Sequence, residues 1–239
     1  MMFYTDIHCH MLGGVDDGAR DTAQMLEMLD AAYESGTRAI CLTPHFNPAY
    51  FGDTSAVSES VFAQLHEYAS ERYADMRLYL GNELFYYDGC VNALVSGACR
   101  TLNGTRYVLV DFNFDTPFLR IRAALRDLLS SGYIPVFAHV ERYECIKPPF
   151  RELMELREMG IKIQINSTSL CGGWGRGIQK KTVKLLKKYI PDVLASDAHS
   201  TGTRHPRLDE CESIVSELCG NDYADAIMHT EPSKIIGIN

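Results

Sequence analysis

The sequence predicts an α/β fold organised as a closed, parallel β/α barrel. Three observations carry this reading: short β-branched or aromatic runs alternate with helical patterns, the connections are short, and metal-capable side chains stand at nearly every strand end. Strand–helix alternation with short links implies parallel strands. Seven such units fit an open doubly wound sheet as well as a barrel, and periodicity does not separate the two. The polar strand ends favour the barrel, because there every strand delivers its C-terminal residue to one mouth.

The strands are expected at Phe3 to Cys9, Ala39 to Thr43, Arg77 to Gly81, Tyr107 to Phe112, Ile134 to Ala138, Ile161 to Ile165 and Val193 to Ala195. Between them, apolar residues recur at helical spacing: Met25, Leu26, Leu29, Ala32 and Tyr33, then Leu125, Leu128 and Leu129, then Val183, Leu185, Leu186 and Tyr189. Gly36, Gly132 and Gly160 each precede a strand, where a helix closes in the left-handed conformation. No Pro/Ser-rich linker, low-complexity tract or internal repeat divides the chain, so residues 1–239 read as a single domain. Barrels commonly use about 250 residues as one unit.

Composition excludes other classes. With 31 acidic and 23 basic residues the formal net charge is −8, the wrong sign for nonspecific nucleic-acid binding. The longest basic run, Lys180, Lys181, Lys184, Lys187 and Lys188, reads as one helix face. No stretch approaches the roughly 18 apolar residues of a membrane span, and Met1-Met2-Phe3-Tyr4-Thr5-Asp6 lacks the pattern of a secretory signal. A cytoplasmic home follows, and the eight cysteines, none in a C-x-x-C pair, are expected as free thiols.

The strand ends carry the chemistry. The first ends in His8-Cys9-His10, the second in Thr43-Pro44-His45, the third in Asn82-Glu83, the fourth in Asp111, the fifth in His139 and the seventh in Ser196-Asp197-Ala198-His199. His8 and His10 alternate along an extended strand, so both imidazoles project to one side, and Asp197 with His199 repeats that spacing. The loop Gly13-Gly14-Val15-Asp16-Asp17-Gly18 adds two carboxylates. Taken singly, Asp17 reads as a helix cap, His139 as a satisfied core histidine and Asp197 as a turn residue. Five histidines and several carboxylates together at strand ends make a metal site the better joint explanation. Imidazoles and carboxylates without thiolates suit Zn, Mn or Fe(II), and the donors suffice for two or three ions with Glu83 as a bridge. Clustered divalent ions lower the pKa of bound water and clamp phosphoryl oxygens, so phosphate-ester hydrolysis leads. Arg142 and Arg204, on loops beside His139 and His199, supply bidentate phosphate binding.

The segments Asp6-Ile7-His8-Cys9-His10, Gly14-Val15-Asp16-Asp17-Gly18, Thr43-Pro44-His45, Gly81-Asn82-Glu83, His139-Val140-Glu141-Arg142-Tyr143 and Ser196-Asp197-Ala198-His199 resemble the polymerase and histidinol phosphatase (PHP) superfamily. More narrowly, the chain is similar to the manganese-dependent protein-tyrosine phosphatases encoded with bacterial capsular and exopolysaccharide genes. The match runs from Asp6 to Arg204. It implies a distorted (β/α)7 TIM-like barrel holding three divalent metal ions, manganese above all, with Fe or Zn compatible. By motif, His8, His10, Glu83 and Asp197 would hold the first ion, Glu83, Asp111 and His139 the second, and Asp17, His45 and His199 the third. Arg142 and Arg204 would grip the phosphate. The family usually has Glu where this chain has Asp111, one methylene shorter, and Asp16 is expected to be structural.

The implied substrate is a phosphotyrosine protein, the tyrosine-rich tail of an autokinase that governs polysaccharide assembly. The rivals are a PHP phosphatase of a small metabolite such as histidinol phosphate, a PHP-type nuclease subunit, which the acidic charge disfavours, and a non-catalytic metal-binding scaffold. Cys145-Ile-Lys-Pro-Pro-Phe-Arg151 satisfies C-x5-R. Pro148 and Pro149 lack the N–H groups a cysteine phosphatase loop needs, so that chemistry is set aside. The Gly-rich segment Cys171 to Gly177 carries the only Trp, Trp174. It reads either as a substrate-facing flap that packs on a phosphotyrosine ring or as an anchor of its own loop.

Overall fold

Strand β1 (Tyr4–Cys9) is buried along its whole length and β2 (Thr37–Leu42) almost so, as parallel strands covered on both faces must be. The computed structural model describes residues 3–238, so Met1, Met2 and Asn239 lie outside it, and the N-terminal reading is carried only from Phe3. The remaining strands are β3 (His45–Phe46), β4 (Arg77–Leu80), β5 (Glu83–Phe85), β6 (Tyr107–Asp111), β7 (Ile134–Phe137), β8 (Lys162–Asn166) and β9 (Val193–Ala195). Every pairing is parallel. One ladder runs β1-β2-β4 and the other β3-β5-β6-β7-β8-β9, and together they make a curled α/β sheet. Past β9, Ala198 bridges to Cys9, and Asp197 N–H donates to the His8 carbonyl at 2.8 Å.

Seven strands were expected and the described residues form nine. Thr43-Pro44 interrupts the second expected strand and Gly81-Asn82 the third, so β3 and β5 follow as separate short strands. Pro44 has no N–H for a ladder. Its carbonyl accepts instead from Glu83 N–H at 3.2 Å and from the Asn82 amide at 2.9 Å. The break lets β3 and β5 turn His45 and Glu83 into one register.

The helices are α1 (Thr22–Glu34), α2 (Pro48–Phe51), α3 (Ser55–Arg72), α4 (Cys90–Ser96), α5 (Phe118–Ser130), α6 (Arg151–Glu158), α7 (Ser167–Leu170), α8 (Arg176–Leu186), α9 (Asp209–Cys219), α10 (Asn221–Asp225) and α11 (Glu231–Ile235). Asp21 caps α1 by accepting from Gln24 N–H. The α1 residues Met25, Met28 and Leu29 then pack on Ile40 and Leu42 of β2. Helix α8 ends at Leu186, so Tyr189 falls beyond it in the left-handed region. Gly36, Gly132 and Gly160 all have positive φ, which spares the cost a Cβ would add at these helix endings. A further core joins Ile7, Ala39, Leu109, Val136 and Val193 from five strands with Ile235 and Ile236. Ser233 of α11 meets Thr5 near the start of β1, which places α11 against the strand N-termini. The opposite ends carry His8 of β1 and Asp111 of β6. No helix among the described residues is long and apolar enough to cross a membrane.

Candidate metal centre

At these strand ends, His8 and His10 bring their Nε2 atoms to 3.2 Å, with both rings fully buried. Glu83 stands among four imidazoles. Its Oε1 lies 3.3 Å from His8 Nε2 and 3.0 Å from His139 Nε2, and its Oε2 lies 3.2 Å from His10 Nε2 and 2.9 Å from His45 Nδ1. Asp197 Oδ1 reaches His8 and His10 at 3.3 and 3.5 Å. Asp17 Oδ1 reaches His45 and His199 at 3.3 and 3.4 Å. Three overlapping groups could each hold an ion: His8 with His10 and Asp197, His8 with Glu83 and His139, and His10 with Asp17, His45 and His199.

The imidazoles are oriented from behind. His8 Nδ1 faces Gln164 Oε1 at 3.1 Å, His10 Nδ1 faces Asp16 Oδ2 at 2.7 Å, and His199 Nδ1 faces the Asp197 carbonyl at 3.0 Å. Each acceptor calls for a proton on Nδ1 and leaves the Nε2 lone pair turned to the centre, the outer arrangement of metal-ligating histidines. Gln164 Oε1 also accepts from His139 N–H at 2.8 Å, and its amide donates to Asn166, which donates to Asp197 Oδ2 at 2.7 Å. His139 Nδ1 is buried without a partner, and buried Glu83 Oε2 and His199 Nε2 have only ion-pair contacts that fall short of hydrogen-bond geometry. Buried polar atoms are seldom left so. For Glu83 and His199, converging on the other donors, a cation would supply a well-directed partner, and the N/O donor set fits one.

Local backbone explains part of the convergence. His139 and Asp197 sit at φ 35° and 51°, a region costing roughly 1–3 kcal/mol for a non-glycine residue. Their N–H groups are tied to Gln164 Oε1 and the His8 carbonyl, which hold them there. Gly18 lies so close to β1 that a Cβ would come within 1.9 Å of the His10 carbonyl oxygen. That contact lays the Asp16-Asp17 loop against the rim.

Charge is distributed accordingly. Burial works against ionised Glu83, yet His8 and His45 hold its carboxyl well below the usual range. Burial likewise opposes the charged imidazoles, but Glu83 and Asp197 bring His8 up to about 9, and Glu83 with Asp17 brings His45 up to about 11. His199 goes the other way, down to about 4, through burial and the neighbouring His10. Asp111 stands apart from the three groups: its Oδ1 is 3.6 Å from His139 Nε2 and accepts from Tyr143 O–H at 2.9 Å.

Arg204 donates to Asp197 Oδ1 at 2.8 Å, and Arg142 Nη1 lies 3.6 Å from Asp197 Oδ2. The Arg142 guanidinium is held between the rings of Phe114 and Trp174, 4.2 and 4.4 Å from their centroids, and Arg204 lies 5.8 Å from the Trp174 ring. Sequence reasoning did not single out Phe114, Gln164 or Asn166; Asp16, taken as structural, lies outside the donor groups and accepts from His10 Nδ1 and from the Gly18 and His45 N–H groups. Gln164 and Asn166 alternate with buried Ile163 and Ile165. That period-two pattern with an amide face was a readable signal; an exposed loop phenylalanine offers none. Cys145, half-buried, has its thiol pushed up by burial, which disfavours a nucleophilic thiolate.

Several known proteins share this framework. Tyrosine-protein phosphatase YwqE of Bacillus subtilis (strain 168) is 33% identical over 231 residues, 97% of this chain and 90% of that protein. Tyrosine-protein phosphatase CpsB of Streptococcus pneumoniae is 30% identical over 236 residues, 97% of each chain. A crystal structure from work on YwqE and CpsB, described as unique metal-dependent tyrosine phosphatases, superposes with a TM-score of 0.87 at 31% identity, covering 98% of this chain and 95% of that one. The sequence profile of the family described as "Capsular polysaccharide synthesis, CpsB/CapC" matches residues 4–237, and the chain belongs to that family.

Proposed function

We propose that this chain is a metal-dependent protein-tyrosine phosphatase. The observation that carries the reading is the set of three overlapping donor groups, with the Nδ1 atoms of His8, His10 and His199 anchored outward, beneath two arginines. Kinship with YwqE and CpsB supports the phosphotyrosine substrate. Three divalent ions, manganese foremost, would be held by His8, His10, Glu83 and Asp197, by Glu83, Asp111 and His139, and by Asp17, His45 and His199. Bound there, they would acidify a water and offset charge on the phosphoryl oxygens.

The chain's own groups do the rest. Arg142 and Arg204 release Asp197 and take the equatorial phosphate oxygens. Phe114 and Trp174 keep Arg142 in place and border the space for the tyrosine ring. Gln164, Asp16 and the Asp197 carbonyl hold the imidazole tautomers fixed. Water attacks phosphorus in line, its new P–O bond replacing the bond to the tyrosine oxygen, and the products are tyrosine and inorganic phosphate. No thiol takes part.

The fold reading goes with it. Counting β2 with β3 and β4 with β5 as interrupted strands gives seven staves, a distorted (β/α)7 barrel, and residues 1–239 form one PHP-type domain. We place its work in the cytoplasm, on the tyrosine-rich tail of an autokinase. The deciding experiment compares turnover of a phosphotyrosine peptide, the matching phosphoserine peptide and histidinol phosphate by the manganese-loaded protein. Preference for phosphotyrosine by tenfold or more in kcat/KM supports the reading; exclusive turnover of histidinol phosphate overturns it.

A further inference from the structure

Two surface grooves differ in charge. One, of about 620 Å³, is lined by Tyr86, Phe112, Asp88, Asp115 and Arg120 among others, so carboxylates outnumber cations. The other, of about 570 Å³, runs between the loop after β7 and helix α8, and carries Arg142, Lys147, Lys180, Lys181 and Lys184 against the single carboxylate of Glu144. In a chain of net charge −8 this is a local reversal of sign. It is also unneutralised. Among the described residues, the lysines engaged in ion pairs are Lys162 and Lys234, both with Glu231. Lys181 instead donates to the Tyr143 carbonyl at 2.7 Å and braces the groove floor. Lys147, Lys180 and Lys184 are exposed. Lys180 and Lys184 lie one helical turn apart, about 6 Å along the axis, which matches roughly two residues of extended peptide.

The groove is continuous with the centre. Arg142 belongs to both, and Gly177 and Ile178, at the start of α8, line it just past the Trp174 loop. We propose that this groove binds an anionic segment of the substrate polypeptide itself, acidic or phosphorylated residues flanking the phosphotyrosine, and so sets sequence preference. The proposal rests on the phosphatase reading and extends it. Charge complementarity selects the occupant: three free ammonium groups favour a chain of carboxylates or phosphates, whereas the carboxylates of the first groove disfavour one there. Exposed pairs are individually weak and salt-sensitive, so the effect belongs in KM and not in kcat.

The test uses manganese-loaded full-length protein and peptides carrying one phosphotyrosine with flanks of alanine, of Asp/Glu, or of a second phosphotyrosine, on either side. Wild-type protein is expected to show a KM roughly fivefold lower for anionic flanks on one side, the advantage shrinking in high salt. The Lys180→Glu/Lys184→Glu pair should bring the ratio to one or invert it, with Lys180→Gln/Lys184→Gln in between. The Asp/Glu and phosphotyrosine flanks separate the two sources of anionic charge. Equal KM for all flanks, or a parallel loss on para-nitrophenyl phosphate, would overturn the groove assignment while leaving the phosphatase intact. If no phosphotyrosine peptide is turned over, both fall. Tight single-stranded oligonucleotide binding lost in the charge-reversed pair, with peptide KM unmoved, would reassign the groove and overturn the proposal.

Discussion

The imidazole of His8 is useful only if its lone pair points inward, and the residue that decides this is Gln164, whose Oε1 takes the Nδ1 proton. Gln164→Leu removes that acceptor and also leaves His139 N–H without its partner. Metal affinity is expected to fall about 10- to 100-fold, read as bound metal per chain after dialysis against graded chelator. An unchanged metal content would show that the amide does not orient the ring. Protons compete for the same nitrogens. In the metal-free protein His8 and His45 are held up to about 9 and about 11, above the ordinary imidazole value of about 6.5. Both rings are therefore protonated at pH 7.5 and must lose their protons to bind a cation. Metal loading should release protons and tighten as pH rises from 6 towards 9, measurable by calorimetry in buffers of different ionisation enthalpy. Metal uptake without proton release would contradict the assignment.

Among the elements, the loop between β1 and α1 is tightly constrained, because Gly18 packs against the His10 carbonyl. Gly18→Ala must lift the loop, moving Asp17 away from His45 and His199 and Asp16 from His10. Lowered metal stoichiometry is expected, with a loss of about 1–3 kcal/mol in chemical denaturation. A variant with full metal and wild-type stability would show that the loop has room. The loop before α8 makes a separate case. Trp174 is 40% exposed yet covers Arg142, so Trp174→Ala frees that guanidinium. Loss in kcat/KM on both a phosphotyrosine peptide and a small phosphate ester would follow from a mispositioned arginine; loss on the peptide alone would mean that the indole contacts substrate directly.

For the molecule as a whole, the strand–helix alternation was legible because the strands of five and six residues are largely buried and each holds β-branched residues, and because Gly36, Gly132 and Gly160 have positive φ. The breaks at Pro44 and Gly81 were not, since β3 and β5, of two and three residues, carry no periodicity. The site was legible as a list of residues at strand ends, but its outer support was not, because Gln164, Asn166 and Phe114 acquire meaning only through neighbours far away in sequence. Net charge takes on a different sense too: three divalent ions would bring the formal −8 to −2, concentrated positive charge in an acidic shell. The central claim is that this centre, loaded with metal, drives phosphotyrosine hydrolysis. Its most direct test is turnover of a phosphotyrosine peptide plotted against bound metal per chain, from exhaustive chelation through stepwise manganese return. Activity should vanish in the stripped protein and return in step with metal occupancy; full activity in protein free of metal would contradict the account.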